Sequence, residues 1–383
     1  MSGVKVKAGF IPLVDSAPLI VAFELGFAAN EGISLELQKA PSWSMLRDML
    51  TIGQIDAAHM LAPVPVAQAM GFGNAVKLDI LSVLSMNGTV TGVSTALAEK
   101  MRVNGFDFTF GDPILAGRAL IDASAGNFRI GVPFPFSMHA ELLYYWLSAL
   151  GLPAPQGIQI QTVPPPLMGQ AIADGEIDAF CVGEPWASMS VENGVGELLL
   201  PGSAIWSWAP EKVLAVRHDW AETETQLALR LVRAVWKAGK WLDQPDNRLM
   251  ASEILARPAY LNIATDVIDR ALNGELIINR NGDERRVANF VSFFEHDATF
   301  PWKSQAAWIG AQLARRIGLD RDDAVTAAQA VFRTDLYRAA LRGESVSLSQ
   351  HDEKVEGPIP ASSGEKDGVS GFFDRLNFNL NKF

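Results

Sequence analysis

Residues 4–11 alternate like a strand, and a strand is read over 6–13. Residues 33–39 (Ile-Ser-Leu-Glu-Leu-Gln-Lys) repeat that alternation strictly, as a half-buried strand does. Between them Asp15-Ser16 and Pro18 open a helical run over 17–27, and Pro41-Ser42 open another over 43–51, the serine placed to cap the first turn. A short apolar run at 53–61 completes the order strand, helix, strand, helix, strand. The same order returns with a strand over 129–135, a helix over 137–149 and a strand over 158–163. A helix after Pro164-Pro165-Pro166 and a strand within 175–183 close this second set. Gly9 pairs with Gly131 and Ile55 with Ile177 at one shift of 122 positions (131 − 9 and 177 − 55), and Gly-x-Ile-Asp-Ala stands in both copies. The pattern predicts an α/β chain of two βαβαβ lobes, each a parallel-rich sheet covered by helices.

Beyond residue 223 the period becomes helical, over 225–242, 248–255, 265–272, 303–317 and 322–341. These segments are expected to buttress the first lobe. Residues 345–369 read as a polar surface tail, tacked down by Phe372, Phe373 and Phe378, since an exposed aromatic cluster would aggregate. The first lobe is therefore placed at 1–92 together with 205–383, and the second at 93–204.

Composition narrows the function. The chain has 383 residues, more than one core of about 250–300 residues comfortably serves, which agrees with two lobes. With 49% hydrophobic and 20% charged residues it is neither disordered nor fibrous. Its 32 basic residues face 43 acidic ones, and a net charge of −11 repels phosphate, arguing against direct nucleic-acid binding and against an anionic membrane as partner. Cys181 stands alone, so neither a disulfide nor a thiolate metal site forms within one chain. No run approaches the roughly 18 apolar residues of a membrane span. Met-Ser-Gly leads at once into the first strand with no leader pattern before it, so the expected location is cytoplasmic.

In open parallel sheets a ligand sits beyond the carboxyl ends of the strands, facing the N-termini of the following helices. Those N-termini carry free N–H groups and a positive dipole, so a cleft between two such sheets favours small anions. The segments that follow the strands are Asp15-Ser16, Ser42-Trp43-Ser44, His59, Ser137-Met138-His139, Pro164–Pro166 and Gly183-Glu184-Pro185-Trp186, with Trp206, Trp208 and Lys212 on the return segment. No nucleophile-elbow, P-loop, zinc-protease or dinucleotide-binding fingerprint is present, so catalysis, a cofactor and a metal are not expected.

Several phrases carry a resemblance. Phe10-Ile11-Pro12-Leu13-x-Asp15-x-Ala17-Pro18-Leu19, Ser42-Trp43-x-x-x-Arg47-Asp48 and Ile55-Asp56-Ala57-Ala58-His59-Met60-Leu61 lie in the first copy. Tyr145-Trp146-Leu147, Val163-Pro164-Pro165-Pro166, Cys181-Val182-Gly183-Glu184-Pro185-Trp186, Pro210-Glu211-Lys212-Val213-Leu214, Phe300-Pro301-Trp302 and Gly371-Phe372-Phe373-Asp374 follow. Together they resemble the nitrate/bicarbonate-binding receptor family of ABC importers. The resemblance implies a two-lobe, periplasmic-binding-protein-like (type II) fold with an added C-terminal helical region. Without a leader, the chain looks most like the cytoplasmic NasS branch of nitrate/nitrite sensors, which hold an RNA-binding ANTAR-domain antiterminator until the anion arrives. The alternative is an importer receptor. In the nitrate-importing relatives a Trp, an amide, a His and a Lys hold the anion. Carried over, these are Trp43, Asn87 in Met86-Asn87-Gly88, His139 and Lys212, with Ser137, Met138, Gly183 and Glu184 around them. Lys212 would supply charge and the others N–H donors to a planar oxyanion. Carboxylates are expected to stay away, because a like charge 4 Å off at an effective dielectric of 20 costs about 4 kcal/mol. Glu184 at the cleft edge is expected to cap the turn after it, the alternative being to hold a cation or a protonated ligand, and His59 to be structural, the alternative being a place on the cleft wall.

Overall fold

The computed structural model describes residues 3–73, 76–124, 129–153, 155–358 and 370–380. Its strands are β1 (Val4–Phe10), β2 (Ile33–Lys39), β3 (Ala57–Leu61), β4 (Leu78–Asn87), β5 (Thr89–Ser94), β6 (Arg129–Val132), β7 (Gln159–Thr162), β8 (Ala179–Gly183), β9 (Gly196–Pro201), β10 (Pro210–Arg217), β11 (Glu275–Ile277), β12 (Glu284–Arg286) and β13 (Val291–Ser292). Two sheets carry the lobes. The first has the order β13-β4-β10-β3-β1-β2 and the second β7-β6-β8-β5-β9. The βαβ units supply the parallel pairs, β1 with β2 and β3 in one sheet and β6 with β7 and β8 in the other. Antiparallel strands complete each sheet: β4 and β10 in the first, β5 and β9 in the second. All ten residues of β4 are buried, as a strand covered on both faces requires.

The chain crosses between sheets at Gly88, the single residue between β4 and β5, and again between β9 and β10. Asn87 (φ 59°) and Gly88 (φ 85°) both sit in the left-handed region, which turns the chain sharply from one sheet to the other.

Helices Trp43–Thr51, Thr225–Leu242, Arg248–Leu255 and Lys303–Ile317 coincide with the periodicity. Two predicted runs are broken. The first splits into Ala17–Glu24 and Phe27–Asn30, because Gly26 adopts a left-handed φ of 73°. The last splits into Arg321–Val331 and Thr334–Leu341, where Phe332 leaves the helix to bridge Ile80 and the Arg333 N–H donates to the Ile80 carbonyl at 2.9 Å. Tertiary pairing to β4 overrides local helix preference there. Among the described residues no helix is long and apolar enough to cross a membrane.

The Thr225–Leu242 helix buries its apolar face against the first lobe. Of the expected tail, residues 359–369 lie outside the described residues. Beyond them Phe372 stacks on Trp206 at 4.7 Å, and Tyr145 meets Trp308, Phe372 and Phe373 edge-on. The Tyr145 hydroxyl donates to Asp374 Oδ2 at 2.6 Å, fastening the chain end to a second-lobe helix. Polar contacts join the lobes. The Trp186 indole donates to the Pro12 carbonyl (2.8 Å), the Val14 N–H donates to the Glu184 carbonyl (2.8 Å), and Arg316 pairs with Glu141 (2.8 Å).

Candidate ligand-binding site

β1 leads into the 3-10 turn Val14–Ser16, which places Asp15 at the junction of the lobes. β3 contributes His59. Antiparallel to it, β10 contributes Lys212, paired with Leu61, and the adjacent Glu211. A regular strand sends neighbouring side chains to opposite faces. The register of β10 against β4 shifts between Pro210 and Lys212, and this irregularity lets both Glu211 and Lys212 reach one cluster. Trp43 opens its helix behind Ser42, whose hydroxyl accepts from the Met45 N–H at 3.3 Å. His139 enters from the second lobe, in the first turn of Met138–Ala149, where Ser137 accepts from the Ala140 N–H at 3.2 Å.

These side chains form a continuous buried row. His59 Nε2 lies 2.9 Å from Asp15 Oδ1, and Asp15 Oδ2 lies 2.7 Å from Lys212 Nζ. Lys212 Nζ lies 3.1 Å from Glu211 Oε2, and Glu211 Oε1 lies 2.9 Å from His139 Nδ1. None of the five is more than 3% exposed. The Trp43 ring flanks the row, 5.6 Å from the His59 ring and 5.5 Å from the Lys212 ammonium. Lys212 Nζ and His139 Nδ1 meet their carboxylates as ion pairs without hydrogen-bond geometry, while Trp43 Nε1, His59 Nδ1 and His139 Nε2 are buried with neither a hydrogen bond nor an ion pair. Leaving such an atom unsatisfied costs about 1–3 kcal/mol each, so the row is incomplete as a purely internal network.

The charges hold one another. Burial pushes the Asp15 carboxyl up, but Lys212 and His59 outweigh it and hold it at about 2. Burial also works against Glu211, yet His139 and Lys212 keep it below the usual carboxylate range. Desolvation would lower Lys212, and the flanking Asp15 and Glu211 raise it instead. His59 is different: burial drives it below its ordinary value despite Asp15. Lys212 therefore stays an ammonium between two carboxylates.

Trp43, His139 and Lys212, three of the expected ligand residues, are brought together. Ser137 serves as a helix cap, its hydroxyl also donating to the Phe134 carbonyl at 2.7 Å, and Met138 is core. Gly183 passes close to the row, since a Cβ there would lie 3.5 Å from Asp15 Oδ2 and 3.2 Å from Leu13 Cδ2. Two expectations need correction. Asn87 is not part of the cluster: its amide nitrogen donates to the Ser207 and Asn289 carbonyls (2.6 and 3.2 Å) and its oxygen accepts from the Ala209 N–H (3.1 Å). A left-handed crossover residue spends its amide on the backbone around it. Carboxylates, expected to be absent, are present as Asp15 and Glu211. They are tolerated because Lys212 lies between them and a histidine meets the far oxygen of each. Sequence reasoning did not weigh Glu211 although it stands next to Lys212, and the place of His59 at the end of the row accords with the alternative that it lines the cleft.

Glu184 stands apart and acts as a cap. Its Oε2 accepts from the Ser188 N–H at 3.1 Å, its Oε1 has no partner, and burial pushes the carboxyl up to about 7. A carboxyl raised on folding contributes stability that is full below its unfolded value and is lost as pH rises through about 7. The Glu184→Gln variant, which mimics the protonated form, is expected to match the parent at pH 5. At pH 8 it should be more stable, by an amount of order 3 kcal/mol at 1.36 kcal/mol per unit. Denaturant unfolding at the two pH values checks this, and an equal loss from pH 5 to 8 in both proteins would refute it. Cys181 is inert, its thiol pushed up to about 12 by burial.

The model of the NMT1-like family matches residues 2–256. The chain belongs to the NMT1-like family. This NMT1-like chain is also similar to the nitrate/nitrite binding protein NrtA of Nostoc sp. (strain PCC 7120), 33% identical over 385 residues that cover 99% of the chain and 83% of that protein. It is similar to the nitrate import ATP-binding protein NrtC of Synechocystis sp. (strain PCC 6803), 32% identical over 343 residues, 88% of the chain and 50% of that protein. The crystal structure of the periplasmic nitrate-binding protein NrtA from Synechocystis PCC 6803 matches the NMT1-like chain with a TM-score of 0.86 at 27% identity, over 98% of this chain and 96% of that one. The fold is thus the two-lobe, periplasmic-binding-protein-like α/β fold.

Proposed function

We propose that this NMT1-like protein is a receptor whose lobes close on nitrate or nitrite at the buried row, and that it hands the anion to an ABC importer. The observation that carries the reading is the set of unpartnered nitrogens, Trp43 Nε1 and His139 Nε2 among them, gathered beside Lys212 at the junction of the lobes. An ammonium has three donors. Asp15 and Glu211 flank the nitrogen as ion pairs at 2.7 and 3.1 Å, which holds Lys212 in place for the guest. Trp43 Nε1–H and His139 then donate to the remaining oxygens of a small planar anion. Closure buries the anion, and binding shifts the population toward the shut form.

The relatives named for nitrate binding and nitrate import support the importer role. The cytoplasmic sensor with an ANTAR-domain antiterminator, expected from the first residues of the sequence, draws no support from those names. A thermal-shift series with nitrate, nitrite, bicarbonate, sulfonates and thiamine precursors tests the ligand. Nitrate or nitrite at a hundred times its Kd is expected to stabilise the protein by about 2.7 kcal/mol, and stabilisation by an organic ligand alone overturns the assignment. Cell fractionation with co-purification tests the partner. Importer subunits are expected with an exported form, whereas a cytoplasmic form bound to an ANTAR-domain protein that nitrate releases would reinstate the sensor.

A further inference from the structure

We propose that the anion binds together with one proton, which goes to His139 Nε2, and that Glu211 is the positioning residue that imposes this coupling. The inference rests on the ligand reading above and concerns the same row. Glu211 Oε1 lies 2.9 Å from His139 Nδ1 as a charge contact, and a Nδ1 lone pair would there face a carboxylate oxygen, so in the neutral ring the proton is favoured on Nδ1 and the lone pair falls to Nε2. Nε2 is the ring nitrogen with neither a hydrogen bond nor an ion-pair contact. A lone pair there suits a ligand with an O–H to offer and repels nitrate or nitrite, which have none. Protonating Nε2 converts it from acceptor to donor.

Charge counting leads to the same place. Apart from the histidines the row carries Lys212 (+1), Asp15 (−1) and Glu211 (−1), a net of −1 in surroundings no more than 3% exposed. A bare anion would bring it to −2. An anion with a proton leaves it unchanged at −1, and two like charges in a low-dielectric cleft are the costly alternative. The groups that face His139 are accounted for on each element packed near it. β10 presents Glu211 and Lys212, the 3-10 turn Asp15, and β3 His59. β8 presents Cys181, whose thiol stays protonated, and just beyond it Glu184, turned to the Ser188 N–H. On the helix of His139 itself, Glu141 is engaged by Arg316 from Lys303–Ile317. The neighbouring Pro113–Ser124 helix carries Arg118 and Asp122 on its exposed side. Glu211 is the carboxylate in contact with the His139 ring.

Calorimetric titration of the full chain with sodium nitrate, in HEPES and in Tris at pH 7.5, measures the proton directly through the buffers' different ionisation heats. About one proton taken up per nitrate is expected, with affinity falling about tenfold from pH 7.5 to 8.5, the limit for one linked proton. Nitrate binding with equal heats in both buffers overturns the coupling and leaves the ligand reading intact. Absence of nitrate binding in both buffers removes the ligand reading itself. Glu211→Gln keeps an acceptor for Nδ1–H and deletes the charge, and is expected to bind nitrate with well under one proton and a flatter pH profile. His139→Gln supplies a permanent N–H donor without a titrating group and is expected to bind with none, which keeps the test open should the first variant fold poorly. A full proton retained in either variant places it elsewhere and overturns the assignment to His139.

Discussion

Lys212→Met is expected to yield a protein that binds no measurable nitrate and is about 3–5 kcal/mol less stable at pH 7, the cost of removing one partner from a buried ion pair. Methionine fills much the same volume, so the loss is electrostatic. The ammonium lies 2.7 Å from Asp15 and 3.1 Å from Glu211, and without it two buried carboxylates face each other with only histidines between them and the rest of the core. The pH dependence identifies the cause. Lys212 is the main influence that brings the Asp15 carboxyl down against burial, to about 2. Once it is gone burial prevails, the carboxyls take up protons more readily, and acidification relieves part of the penalty. Denaturant unfolding at pH 7 and pH 5 should therefore show the deficit to the parent narrowing at pH 5. A Glu211→Gln/Lys212→Met double variant should recover part of the loss at pH 7, because one of the stranded charges has been removed. Equal stability of parent and Lys212→Met at pH 7 would mean that the row is solvated and that the anion site lies elsewhere.

The lobes were legible because burial of a parallel sheet leaves a strong mark. The Gly-x-Ile-Asp-Ala phrase recurs where β3 and β8 begin, and the alternation of β2 holds over buried Ile33, exposed Ser34 and buried Leu35 before it fades into half-buried positions. Long amphipathic helices such as Thr225–Leu242 were equally plain, since one face meets the core for five turns. What stayed hidden depended on pairing at a distance. Nothing local in Asp322–Leu341 says that Phe332 will leave the helix to meet Ile80. The site divides in the same way. Trp43 and His139 follow capping serines at helix starts, a placement readable from spacing. The joint presence of Glu211 and Lys212 contradicts strand alternation and arises from a register shift against β4, which only the assembled sheet reveals. The electrostatic rule used to exclude carboxylates was sound for an isolated charge, but it was applied without the lysine and histidines that neutralise these two.

Asn87→Ala separates a ligand from a crossover residue. If Asn87 served the anion, its removal would weaken nitrate binding and leave the fold nearly untouched. The structure leads to the opposite expectation. Asn87 holds φ at 59°, a region that asparagine tolerates and alanine resists. Its amide joins three backbone groups from two segments, Ser207 and Ala209 just ahead of β10 and Asn289 ahead of β13. Alanine abandons the buried Ala209 N–H and two carbonyls, each worth about 1 kcal/mol net and more when left unsatisfied, and adds backbone strain. A loss of about 3 kcal/mol is expected, seen as a lower denaturant midpoint with unchanged slope. Where the variant is folded, nitrate affinity should stay within about threefold of the parent. Asn87→Gly relieves the strain alone, so it should fall between the two, and the difference between glycine and alanine measures what the left-handed turn costs. Should Asn87→Ala keep its midpoint and lose nitrate, the amide reaches the anion in a form of the protein other than this one, and the crossover at Gly88 would then be a moving part of the binding cycle.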